Sequence, residues 1–117
     1  MGYSWVEIEV SNIAKTKSKR LKALVDTRAS LTVLPGSTAG ELGIEPIREE
    51  DVATGAGLVR IKRGRGWIKL YDKEAIFDVW ISDIIDKVLL GLVVLEVFGY
   101  EVDPVTGRLR ERPLLLY

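Results

Sequence analysis

Cysteine and histidine are both absent from the 117 residues. Without cysteine there is no disulfide framework and no thiolate chemistry, a composition suited to a reducing interior such as the cytoplasm. Without histidine, Ser-His-Asp and Cys-His catalysis are excluded within the chain, as are the usual zinc sites. An excess of one charge sign is also missing, because 17 basic and 17 acidic side chains cancel. No bulk field therefore draws the chain to nucleic acid or to an anionic membrane. No apolar run is long enough to span a bilayer. Residues 1–10 alternate and carry Glu7 and Glu9, which is not the pattern of a secretory signal. Any catalysis must run on carboxylates, hydroxyls, Lys, Arg or a hard metal ion.

What is present is a normal apolar share, 47%, in a length that suits one domain over 1–117 with a modest core. Residues 3–10 alternate, with Tyr3, Trp5, Glu7 and Glu9 on one face and Ser4, Val6, Ile8 and Val10 on the other. That predicts a half-buried strand. Residues 11–19 read as a hairpin loop and 20–25 as the returning strand. Residues 31–34 form a short apolar strand, stopped at Pro35-Gly36. One helical turn fits 37–42, capped by Ser37 and terminated by Gly43. Residues 44–51 read as a charged connection. Two glycines near 52–57, followed by residues 58–61, predict a hairpin tip. Residues 66–71 and 75–81 alternate as strands joined at Asp72-Lys73. Residues 88–98 are an apolar run of helical length with Gly91 inside and Gly99 after it. A turn at 104–107 separates residues 100–103 from 109 onward. Many short strands and one short helix predict an all-β, barrel-like domain.

The densest chemical signal is Leu24-Val25-Asp26-Thr27-Arg28-Ala29-Ser30-Leu31-Thr32-Val33-Leu34-Pro35. It sets one carboxylate on a tight turn between two apolar runs, where a charge is costly to bury unless paired or protonated. Taken alone, Asp26 reads more readily as a turn residue than as a catalyst. The stretch, however, resembles the active-site signature of retropepsin-like aspartic proteases: two apolar residues, Asp, Thr or Ser, Gly, Ala, Ser. A second segment follows in the right order. Val88-Leu89-Leu90-Gly91-Leu92 is similar to the family's second signature, which packs behind the catalytic loop. Residues 53–61 fall where the family places its flap. Residues 99–107 resemble the closing hairpin of its small microbial members. The likeness covers roughly residues 3–109.

The resemblance implies a retropepsin-like acid-protease barrel with one short C-terminal helix, acting as a homodimer on a peptide or protein substrate. Asp26 from each chain would form a dyad that shares one proton and activates a water. Thr27, Arg28, Ala29 and Ser30 would support the loop. Ala53, Thr54, Gly55, Ala56, Gly57 and Leu58 would form the substrate-binding part of a flap spanning about 52–66. The apolar end, residues 109–117, would form a dimerisation strand. No metal or cofactor is implied, and neither a nucleic-acid nor a membrane partner.

Arg28 departs from the family pattern, which has Gly there. Three readings stay open: an active enzyme with Arg28 turned outward, a variant of an active enzyme, or a pseudoprotease that binds peptides as a dimer. Other signals have plainer readings. The basic run Lys62-Arg63-Gly64-Arg65-Gly66-Trp67 suits a solvated hairpin better than a single-strand nucleic-acid platform. Asp83, Asp86 and Asp103 lack calcium-loop spacing and read as turn carboxylates. Trp67 and Trp80 read as core or interface aromatics.

Overall fold

The computed structural model describes residues 4–116, so Tyr3 of the first expected strand and Tyr117 of the expected tail lie outside the described residues. Among the described residues the chain forms nine strands and two short helices. β1 (Trp5–Ser11) is the alternating strand read from sequence, with Val6, Ile8 and Val10 buried. It pairs antiparallel with β2 (Ser18–Val25), so the connecting loop is shorter than its polar composition suggested. β3 (Thr32–Pro35) is wholly buried and leads directly into α1 (Gly36–Leu42). Ser37 does not cap this helix. Pro35 ends the strand at the N-cap position, with no side-chain hydrogen bond, and Ser37 falls inside the first turn. Gly43 does close it, with a left-handed φ of 72°.

The charged stretch expected to be a connection is instead a strand, β4 (Arg48–Thr54). It pairs antiparallel with β5 (Gly57–Leu70), a single strand of 14 residues where the sequence suggested two pieces. Charges face each other across this hairpin: Asp51 lies opposite Arg60, with Nη1 3.3 Å from Oδ1. Such cross-strand pairs replace the apolar alternation that usually marks a strand. β6 (Lys73–Ser82) returns alongside β5. The expected 88–98 helix divides into β7 (Val88–Leu90) and α2 (Leu92–Phe98), which ends at Gly99 with φ 78°. β8 (Tyr100–Val102) and β9 (Leu109–Glu111) form a separate two-stranded sheet. Among the described residues of the expected 109–117 strand, Leu109–Glu111 lie in a ladder, as β9, and residues 112–116 do not.

The strand order β1-β2-β7-β3-β6-β5-β4, with a further β1–β5 pairing, closes six strands on themselves. β4 stands outside that closure, attached only to β5. Inside lie Ile8, Leu34, Ile68, Leu70, Val79 and Leu90, each nearly inaccessible to solvent. α2 seals one side with Val94, Leu95 and Phe98, and Phe98 meets Phe77 edge to face at 5.3 Å. Two of the closed strands pair in parallel with partners far along the chain: β2 with β7 and β3 with β6. This crossing of parallel neighbours delivers residues 26–31 to one mouth of the barrel.

Candidate active site

Asp26 follows directly on the last residue of β2. Its backbone N–H donates to the carbonyl of Leu90 at 3.0 Å, continuing the β2–β7 pairing for one more step. The chain then turns, and Ala29 N–H donates to the Asp26 carbonyl at 3.2 Å. The loop is held from behind by α2: Leu92 N–H donates to the Ala29 carbonyl at 2.8 Å, and Val93 N–H to Ser30 at 3.2 Å. A buried bond completes the lock, with Gly91 N–H donating to Thr32 Oγ1 at 3.0 Å. Gly91 is needed here for space. Its φ is an ordinary −83°, but a Cβ would lie 2.6 Å from Thr32 N and inside the Leu31 carbonyl group.

The Asp26 carboxylate is one-fifth exposed and faces the mouth of the barrel. Its Oδ1 accepts the backbone N–H of Arg28 at 3.0 Å and, more loosely, Arg28 Nε at 3.4 Å. Arg28 is not among the residues with positive φ, so an arginine fits this loop without left-handed strain. Its side chain is 86% exposed.

In front of Asp26 opens a cleft of about 940 Å³. Asp26, Arg28, Ala29 and Ser30 line its floor, and Ala53, Thr54, Gly55 and Ala56 line its roof. Thr27 is exposed and lies off the lining, as do Gly57 and Leu58. The hairpin tip is held by its own atoms: Thr54 Oγ1 donates to the Gly57 carbonyl at 2.8 Å and accepts Ala56 N–H at 3.1 Å.

The walls were not anticipated. Val33, Val52, Trp80, Ile84, Ile85 and Leu89 give the cleft an apolar lining. Glu50 stands among them, and its carboxylate is saturated. Trp80 Nε1 donates to it at 2.9 Å, Arg63 Nη1 lies 2.9 Å from Oε2, and Arg48 Nε lies 3.2 Å from Oε1. The Trp80 indole N–H, ahead of the two guanidiniums, holds Glu50 below the usual carboxylate range against the opposing effect of partial desolvation. Arg63 also grips Asp78 on β6, with Nη2 2.7 Å from Oδ2, and this bond does most to raise its own pKa. Arg63 therefore ties β4 to β6 where the hairpin leaves the barrel. The basic run around it is internal wiring in part, and Trp67 is half-buried with its N–H on the Ile13 carbonyl. The only local sequence signal for these residues was a Trp alternating with aliphatics on β6. The lock at Thr32 was signalled by a hydroxyl inside an apolar run.

Asp83 and Asp86 are exposed, whereas Asp103 is half-buried and accepts Val105 N–H at 2.8 Å. No helix among the described residues is long and apolar enough to cross a membrane.

No protein-family profile and no curated protein matches the sequence. Solved structures do match. The EIAV protease bound to an inhibitor is 19% identical, with a TM-score of 0.68 over 87% of this chain and 93% of that one. A retropepsin-like aspartic protease from Rickettsia conorii is 21% identical, with a TM-score of 0.64 over 87% and 77%. The retroviral protease-like domain of Ddi1 from Leishmania major is 18% identical, with a TM-score of 0.56 over 92% and 86%.

Proposed function

Starting from this retropepsin-like fold, we propose that the chain is an aspartic endopeptidase that works as a homodimer. The observation that carries the reading is a single carboxylate, Asp26, on a loop locked from behind and opening onto an apolar cleft. One carboxylate cannot serve as both acid and base, so a second Asp26 is drawn from a second copy about a two-fold axis. Two like charges in hydrogen-bonding reach split their pKa values. The ionised member takes a proton from water as it attacks the peptide carbonyl. The protonated member donates to the carbonyl oxygen, and a proton is later returned to the departing amine. Thr27, exposed in one chain, is available to the opposing loop. The 53–58 hairpin tip is the flap that lies over an extended substrate, held by strand-like hydrogen bonds. Leu114, Leu115 and Leu116 are 69%, 76% and 89% exposed, an apolar surface that a second copy would cover.

The Arg28–Asp26 contact supports a second reading, a peptide-binding pseudoprotease of the same fold, because it gives the carboxylate a cationic partner within its own chain in place of a second carboxylate. Incubation with a diverse peptide library between acidic and neutral pH separates the two. A protease cuts, and Asp26→Asn lowers the rate about 10²–10⁴-fold. Undiminished cutting by Asp26→Asn would sink the assignment. Sedimentation at micromolar concentration should give twice the chain mass, and a strict monomer would remove the dyad.

A further inference from the structure

Arg28 is the sole basic side chain among the described residues that line the cleft. Its acidic neighbours there are already committed. Glu50 is saturated by Trp80, Arg63 and Arg48, and Asp51 is paired with Arg60 from outside the lining. Arg28 itself is held only by the long Nε contact to Asp26, and its two terminal nitrogens make no hydrogen bond or ion pair with any described residue. At 86% exposure the side chain loses little packing when it swings. A planar guanidinium with an open edge is shaped to receive a carboxylate through two parallel N–H bonds.

Resting on the cleft's being the peptide site, we propose that Arg28 is a specificity residue that selects peptides bearing a carboxylate close to the bond over Asp26. The carboxylate comes from an acidic side chain or from a free peptide C-terminus. Its binding draws the guanidinium away from Asp26, so the ligand that is selected also releases the carboxylate. Arg28 thereby acts as a selector rather than as an obstruction.

The test is fluorescence anisotropy at neutral pH with the full chain carrying Asp26→Asn, so that no peptide is consumed. Paired peptides differ only as Glu against Gln, or as free acid against C-terminal amide. The acidic member should bind about five- to tenfold more tightly. The preference should fall to within about twofold in Asp26→Asn/Arg28→Gln and survive in part with Arg28→Lys. Preference confined to the free-acid peptides assigns the carboxylate to the C-terminus, and preference for internal Glu assigns it to a side chain. Equal binding of acid and amide, a preference that persists in Arg28→Gln, or no binding by any peptide overturns the proposal. Circular dichroism checks that each variant is folded. Selective binding without cutting by the unmodified chain defeats the protease reading and leaves this inference standing. Cutting without selectivity does the reverse.

Discussion

The floor and the roof of the cleft are built on opposite principles. The floor, residues 26–32, is tied to β7 and α2 by backbone hydrogen bonds at Leu90, Leu92 and Val93, and by the buried Thr32–Gly91 bond. Every partner is some sixty residues away in sequence, so the loop cannot shift without disturbing the barrel. The roof, residues 53–57, is tied mainly to itself through Thr54, and its residues are exposed. In the proposed dimer, a carboxylate meeting its counterpart within hydrogen-bonding reach would need a fixed mounting. On the same proposal, a cover admitting a peptide would need few bonds to break. Between them sits Arg63, which joins the root of the hairpin to β6 through Glu50 and Asp78.

One substitution, made in each region, tests this contrast most directly. Gly91→Ala places a methyl group against Leu31 and Thr32 backbone. It should cost about 3 kcal/mol or more, measured by urea unfolding. A loss near zero would mean that the floor gives way easily. Thr32→Val removes the only side-chain acceptor of the buried Gly91 N–H and should cost about 1–3 kcal/mol. Acid acts on the root of the roof. Glu50 is held below its ordinary pKa, so its contribution is present above the unfolded carboxylate value, roughly 4.3. It is lost as pH falls through the folded value. Trp80 fluorescence should therefore change in that acidic window, and Glu50→Gln should abolish the change; a transition unaltered by the variant would assign it elsewhere. Gly55→Ala is the mildest test. Nothing lies within 4 Å of its added Cβ, and stability should stay within about 0.5 kcal/mol.

The same contrast governs how far the sequence could be read. β1 and β6 bury alternate apolar residues, so a period of two exposed them directly. The Asp26 turn and the Leu89-Leu90-Gly91 segment could be placed because each carries a compact run of residue types. β4 was hidden because its sequence, Arg48-Glu49-Glu50-Asp51, shows no apolar period. Its partners Arg60 and Arg63 lie across the ladder, where a local window does not reach. β5 looked interrupted because Gly64 and Gly66 resemble a turn. In the fold Gly64 makes room for Ile44, whose Cγ2 is 3.1 Å from an added Cβ, and Gly66 makes room for the Ser11 carbonyl oxygen at 2.8 Å and Ile44 Cδ1 at 3.0 Å. β7 was absorbed into a helix because three apolar residues before α2 continue its hydrophobic run. The cleft walls gather Val33, Val52 and the Trp80, Ile85 and Leu89 group from three separate parts of the chain, a coincidence that tertiary structure alone creates.

The parallel β2–β7 pairing also has a consequence in time. A chain emerging from the ribosome delivers Asp26 early and Leu90, Gly91 and Leu92 late. Until that second segment arrives, the loop has no carbonyl at Leu90 to receive its N–H and no helix behind it. Strand pairings this distant in sequence close slowly. A nascent chain ending before residue 88 therefore carries the aspartate without the backbone partners that fix its loop.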